Sequence, residues 1–358
     1  MKPNFDRNNL NSKGINVPDV NIPISTDFKI LSLDGGGIKG LYAAELLAGI
    51  ERKTGKLTGD YFDMICGTST GGIIALGITC GIPCEQIARF YTEHGPLIFP
   101  RGNWGERTFR RLRQAFFGTK YGNANLENIL HEFLGGHQTM ASANHLMCIP
   151  TFNITQGRPT VFKKPFGPYH RDGRFSMVEV ALATSAAPTY LPSVSIEGDQ
   201  YVDGGLYVNN PSMIGYTEAK DHFIGKEHTI DGHKITYDGV SMLSIKLPGD
   251  PKGERPFINP RRSFSKWGAK LVGTAMTGSD YIAAYQTGKL IERDGGLFYR
   301  LTPPSLSSSQ VKIVDMDNTS KKSIQLLTSY GKDAGHHYTS TQWNEIEHFF
   351  THDKSYKF

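Results

Sequence analysis

Gly67-Thr68-Ser69-Thr70-Gly71 places a serine between two glycines in the pattern G-x-S-x-G. Where a strand leads in and a helix leads out, such a serine stands on a tight elbow, and the flanking glycines relieve the crowding. Its hydroxyl points outward over a helix N-terminus, whose partial positive charge favours a developing alkoxide. That is the position of a nucleophile. Without that context, the same five residues are a small-residue turn chosen for close packing.

A second candidate is Asp34-Gly35-Gly36-Gly37-Ile38-Lys39-Gly40. Gly35, Gly37 and Gly40 fit the dinucleotide fingerprint G-x-G-x-x-G, which also needs an acidic residue at the end of the next strand to hold a ribose. Here that strand ends in Gly67-Thr68-Ser69, which argues against a nucleotide-dependent oxidoreductase. Lys39 is followed by Gly40 rather than Ser or Thr, so this is not a phosphate-binding P-loop either. Successive backbone N–H groups at a helix N-terminus can instead hold an oxyanion. The third candidate, Asp203-Gly204-Gly205, is on its own a turn. Its meaning depends on the company it keeps.

The elements that must position these residues follow from periodicity. Phe28 to Leu33 reads as a short apolar strand running into the glycine cluster, and Leu41 to Lys53 as a helix with Ala44, Leu47 and Ile50 on one face. Tyr61 to Cys66 is a second strand, followed by the elbow and another apolar helix. His145 to Asn153, Thr160 to Phe162 and Val240 to Leu247 read as further strands, Val178 to Ala187 as a small-residue helix, and the stretch around Lys321 to Tyr330 as a C-terminal helix. This alternation predicts a three-layer α/β/α sandwich with a mostly parallel central sheet. Residues 1–26 read as a loose arm, 27–335 as the main domain and 336–358 as a C-terminal extension.

Composition bounds the function. The 358 residues are 38% hydrophobic and 20% charged, which suits a packed core and excludes wholesale disorder. A net charge of +5 does not call for nucleic acid and is compatible with visiting an anionic surface. Cys80 and Cys84 have no second Cys/His pair at zinc spacing, so no metal is expected and the thiols read as buried and reduced. The polar start of the chain carries no secretory signal, and Ile73 to Ile82 is too short and Gly-rich to span a bilayer. A soluble, cytoplasmic protein is expected.

Residues 100–125 differ in kind. Arg110, Arg111 and Arg113 are interleaved with Phe109, Phe116 and Phe117. They read as a nucleotide pocket, in which guanidinium pairs phosphate and aromatics stack bases, as an interfacial surface entering lipid, or as a solvated helix with one packed face.

With the three Gly-containing motifs in that order, the chain resembles the patatin-like phospholipases. Ala183-Thr184-Ser185-Ala186-Ala187-Pro188 and Asn209-Asn210-Pro211 strengthen the likeness, which extends from about Phe28 to about Lys332. The resemblance implies a Ser–Asp dyad. Ser69 would attack the ester carbonyl on an elbow framed by Gly67 and Gly71, and Asp203 would act as general base. Gly35, Gly36, Gly37, Lys39 and Gly40 would form the oxyanion hole, with the Gly36 and Gly37 amides donating, and no cofactor would be needed. The family often has Arg where Lys39 stands, which keeps the charge but not the bidentate fork. Chain order leaves a histidine base open, since His222, His228, His233, His336, His337, His348 and His352 follow Asp203.

Within the family, Gly71 to Gly77, Phe90 to Pro100 and Tyr299-Arg300-Leu301 look most like the bacterial CapV-type phospholipases of anti-phage (CBASS) defence. That likeness implies an enzyme silent until a nucleotidyltransferase makes a cyclic dinucleotide such as cyclic GMP-AMP. It would then form a homo-oligomer and degrade membrane phospholipids at the inner membrane surface. A constitutive lipase or esterase without nucleotide control is the alternative. A further expectation is a cover over Ser69, with segment 100–125 as its candidate.

Overall fold

The computed structural model describes residues 27–101, 118–230, 233–249, 269–311 and 313–356. The expected N-terminal arm, Arg110, Arg111, Arg113 and the aromatic residues around them lie outside the described residues, as does the basic stretch around Arg255 to Lys266.

The first half of the fold comprises β1 (Asp27–Leu33), α1 (Gly40–Thr54), β2 (Met64–Gly67), α2 (Thr70–Thr79), α3 (Ala124–Leu134), β3 (Leu146–Asn153), β4 (Arg158–Lys163), α4 (Met177–Ser185), β5 (Val194–Ile196) and β6 (Asp199–Asp203). The second half comprises α5 (Ser212–His222), β7 (Glu227–Ile230), β8 (His233–Thr236), β9 (Gly239–Ile245), α6 (Ala269–Arg293), β10 (Phe298–Leu301) and α7 (Lys321–Ser340). β7 and β8 form a separate hairpin. The other eight strands form one sheet in the order β10-β9-β1-β2-β3-β6-β5, with β4 also on β3. β10, β9, β1, β2 and β3 are parallel, while β4, β6 and β5 join antiparallel. The chain is thus an α/β sandwich on a mostly parallel sheet.

β1 reads as a continuous apolar run because it is covered on both faces. Leu31 and Leu33 pack into a large core with α1, α2 and α4, while Phe28 and Ile30 face a second core with Tyr216 and Ala219 of α5. α1 stops at Gly55, whose φ of 73° places it in the left-handed region that ends helices. The C-terminal helix is longer than the sequence suggested. α7 runs to Ser340, through the boundary expected at residue 335, and Gly331 and Gly335 let it lie against Tyr42 and Gly49 of α1. Beyond it Phe349 and Phe350 join the main core, and the amides of Ser355 and Tyr356 donate to Asp63 at 2.9 and 2.7 Å.

One detail of the sheet places the chemistry. β3 pairs with β4 along residues 148–153, with β2 along 146–148 and with β6 along 151–153. A strand has only two edges, so β2 and β6 share the edge opposite β4. They run in opposite directions, and their C-terminal ends therefore meet head to head beside Ile149 and Pro150. Ser69 follows the end of β2, and Asp203 is the last residue of β6.

Candidate active site

Ser69 caps α2 with φ 55° and ψ −123°, a left-handed conformation that a non-glycine residue adopts at a cost of about 1–3 kcal/mol. Surrounding bonds hold it there. The Gly71 amide donates to Thr68 O at 2.8 Å, the Ser69 amide donates to Thr184 Oγ1 at 3.0 Å, and Thr68 Oγ1 donates to Val208 O at 2.9 Å. The glycines are a matter of space. A Cβ on Gly67 would lie 2.2 Å from Gly71 O, and one on Gly71 would lie 2.3 Å from Leu33 O.

The Ser69 hydroxyl faces the Asp203 carboxylate closely enough to favour its ionised form. Asp203 Oδ1 also accepts the Gly205 amide at 2.7 Å, and the Asp203 amide donates to Ala186 O at 3.0 Å. Burial pushes the Asp203 carboxyl up to about 6, against the pull of the Ser69 hydroxyl and the Gly205 amide. Its side chain is therefore an aspartate poised near neutrality beside a serine hydroxyl.

The glycine loop runs alongside. Gly35 passes so close to Ser69 that a Cβ on it would stand 3.2 Å from the Ser69 Cβ. Among its amides, Gly35 donates to Asn209 O at 3.1 Å, Ile38 to Met316 O at 2.9 Å and Lys39 to Gly36 O at 3.3 Å, while the Gly40 amide bonds back into the turn. The Gly36 and Gly37 amides have no acceptor among the described residues. Gly37 has φ 60°, and a Cβ there would lie 2.2 Å from Met316 O, so this turn requires glycine. Asp34 anchors the loop: Arg300 grips it with both guanidinium nitrogens, at 3.2 and 2.6 Å, and donates to Ser244 Oγ at 2.6 Å.

α6 lies over the segment after Asp203. Ser279 Oγ donates to Tyr207 O at 3.0 Å, and Asp280 Oδ2 accepts from Asn209 Nδ2 at 3.0 Å. Burial, with the charge of Asp34 adding to it, raises the Asp280 carboxyl to about 7. Ser69 is 8% and Asp203 6% exposed, so the pair is covered. The sequence had offered segment 100–125 as the cover; residues 102–117 of it lie outside the described residues, and α6 is the element seen here.

The histidines whose side chains are described lie elsewhere. His222 and His228 pack against Phe166 and Phe223, His348 pairs with Asp27 at 3.0 Å, and His336 faces Ser340. Among the described residues no histidine hydrogen-bonds to Ser69 or Asp203. Sequence reasoning missed the roles of Thr184, Asn209, Asp280 and Arg300. Three of these, Thr184, Asn209 and Arg300, lie in stretches already singled out by likeness, but their partners are 71 to 266 residues away in the chain and no spacing announces them.

A family model described as "Patatin-like phospholipase" matches residues 31–215. The chain is 33% identical over 327 residues to a "cGAMP-activated phospholipase" of Vibrio cholerae serotype O1, covering 86% of this chain and 90% of that protein. It is 30% identical over 312 residues to a protein of the same name from Pseudomonas aeruginosa, covering 87% of each. Among solved structures, human GIVD cytosolic phospholipase A2 aligns over 91% of this chain and 61% of that one, at 11% identity and a TM-score of 0.43.

Proposed function

Because the chain belongs to the patatin-like phospholipase family and is a lipid acyl hydrolase, we propose that Ser69 and Asp203 are its catalytic pair and that a cyclic dinucleotide switches it on. The observation that carries the catalytic part is the approach of the Ser69 hydroxyl, on a positive-φ elbow, to a buried carboxylate that it helps to keep ionised.

The steps follow from that arrangement. Ser69 Oγ attacks the ester carbonyl carbon of a phospholipid while Asp203 takes its proton. The carbonyl oxygen becomes an oxyanion, held by the amides of Gly36 and Gly37, the two donors in the loop not already committed. A donor of this kind contributes about 3 kcal/mol to lowering the barrier. The C–O bond to the lysophospholipid breaks, and Asp203 returns the proton to the leaving oxygen. Water then attacks acyl-Ser69 with Asp203 again as base, releasing the fatty acid and restoring Ser69. A base near 6 is ionised at neutral pH yet close enough to it to give the proton back.

The shared name of the bacterial relatives, cGAMP-activated phospholipase, supports activation by cyclic GMP-AMP; a role in anti-phage defence, supply by a nucleotidyltransferase and homo-oligomerisation on activation complete the proposal. A covered dyad suits an enzyme that rests closed and opens on a signal. Among the described residues no helix is long and apolar enough to cross a membrane, and the proposed substrate is reached at the inner membrane surface.

The test is fatty acid release from phosphatidylethanolamine/phosphatidylglycerol liposomes, with and without a panel of cyclic dinucleotides. Release with one nucleotide only, abolished by Ser69→Ala, is the expected result. Release independent of nucleotide would leave a constitutive lipase and sink the gated reading. Release that survives Ser69→Ala would remove the dyad.

A further inference from the structure

A groove of ≈ 640 Å³ runs between β4 and α5, away from the dyad and not used by the hydrolysis. Its size falls within the range of about 300–1,000 Å³ usual for small-molecule sites. Arg158 and Lys163 come from β4, Tyr169 and Arg171 from the loop after it, and Thr217 and Glu218 from α5.

The polar groups of this groove are only partly satisfied. Lys163 Nζ meets Glu218 Oε2 at 2.6 Å and lies 4.6 Å from the centroid of the Tyr169 ring. Arg171 is bound on one side, with Nη2 donating to Val161 O at 3.0 Å and to Asp172 Oδ2 at 2.9 Å, and its side chain is 58% exposed. Arg158 is exposed and makes no ion pair among the described residues. Glu218 is the unusual member. It is 8% exposed, and its Oε1 is buried with no hydrogen-bond partner among the described residues; His222 Nε2 stands 3.9 Å from it. A buried charged oxygen without a donor is costly, and a ligand that brings one removes the cost.

We propose that this groove is the docking site of the activator, a cyclic dinucleotide carrying a guanine. The proposal rests on the nucleotide-activated reading above and gives that reading a place. Each part of the ligand has a counterpart. An ionised carboxylate only accepts, and the Watson–Crick edge of guanine offers two adjacent N–H donors, N1–H and the N2 amino group, whereas adenine offers one donor beside an acceptor. The guanidinium fork of Arg158 and the Nη1 side of Arg171, whose other edge holds Asp172, suit the phosphodiester oxygens. Tyr169, 40% exposed, supplies a face on which a base can stack.

The walls of the groove also reach the dyad. α5 begins directly after the segment 204–211 that follows Asp203, and the hydroxyls of Ser212 and Ser32 bond at 3.0 Å, tying its first turn to β1. β4 pairs with β3, and β3 pairs Thr151 with Asp203. A ligand that draws α5 and β4 together therefore acts on the two elements that hold Asp203 and the loop beside it.

The experiment is calorimetric titration of the full chain with cyclic GMP-AMP, cyclic di-AMP and inorganic phosphate. Wild type, Arg158→Glu, Glu218→Gln and the triple variant Arg110/Arg111/Arg113→Ala are compared, with thermal melting of each free protein as the folding control. The proposal expects Arg158→Glu to weaken cyclic GMP-AMP by about tenfold to hundredfold, the loss of one charge-assisted contact, with melting unchanged. It expects Glu218→Gln to erase the preference for cyclic GMP-AMP over cyclic di-AMP. Undiminished binding in both variants, or loss confined to the triple variant, moves the site elsewhere while leaving nucleotide activation intact. Phosphate binding as tight as the dinucleotide would make the groove a plain anion site and overturn the proposal. No dinucleotide binding by wild type would overturn both the groove and the gated reading.

Discussion

Asn209 grips both polar groups of Gly35: its backbone oxygen accepts the Gly35 amide at 3.1 Å, and its side-chain Nδ2 donates to the Gly35 carbonyl at 3.3 Å. The same Nδ2 donates to Asp280 Oδ2 at 3.0 Å, so a residue six positions past Asp203 joins the glycine loop to the covering helix α6. Since Gly36 and Gly37 follow at once, the direction of their amides depends on this clamp.

Asn209 is therefore a positioning residue. Asn209→Ala should lower kcat on a soluble ester by about tenfold to hundredfold, short of the loss expected from deleting an oxyanion donor outright. KM should move little, because the clamp does not face the acyl chain. A parallel rise in KM with kcat unchanged would mean that Asn209 serves substrate binding instead.

Ser69→Ala should remove activity, and Asp203→Asn should reduce kcat by about a hundredfold to ten-thousandfold, the range of general-base catalysis. The stability effect runs the other way. The Asp203 carboxyl sits at about 6 in the folded chain against 3.8 as its ordinary value. Its protonated form favours the fold, so that contribution is full below 3.8 and is lost as pH rises through 6. Ionised Asp203 thus costs the native state roughly 3 kcal/mol at pH 8. Asp203→Asn should melt above wild type at pH 8, with the difference closing toward pH 4. A variant melting below wild type at pH 8 would show that the carboxylate is structural.

The strand–turn–helix units that carry Asp34 to Gly40 and Gly67 to Gly71 were legible because each packs locally and leaves its period in the sequence. The meeting of Ser69 with Asp203 left no local period and was reached only through the family resemblance. It arises because β2 and β6 share one edge of β3, a register relation between segments more than a hundred residues apart. α6 was missed. Gly273, Gly278 and Gly288 dilute its helical signal, and its hold on the site comes from tertiary contacts such as Ser279 with Tyr207. Asp280 looks in sequence like any solvated helical carboxylate, and only burial gives it a role.

The proposed dyad sets an expected pH profile. Asp203 must be ionised to accept the Ser69 proton, so kcat should rise with pH through about 6 and level off above 7. At pH 5 about one molecule in eleven carries the base form, an elevenfold loss or so. Stopped assays on a soluble ester between pH 4.5 and 8.5 check this. A profile that follows a group near 6.5 and is shifted by replacing a histidine would restore a histidine base.

The elbow glycines give a sharp contrast in stability. A Cβ at Gly67 or Gly71 meets backbone oxygen at 2.2 or 2.3 Å, and neither oxygen belongs to a side chain that could swing away. Gly67→Ala and Gly71→Ala must displace β2, α2 or the end of β1, so each should lose more than about 3 kcal/mol, beyond the usual cost of overpacking. Gly122 has open space around it and should accept alanine within about 0.5 kcal/mol. Urea unfolding of the three variants in a Ser69→Ala background separates the effect from activity. Normal stability of Gly67→Ala would mean that the elbow relaxes easily, and the strained Ser69 backbone would then owe nothing to the packing of its flanking glycines.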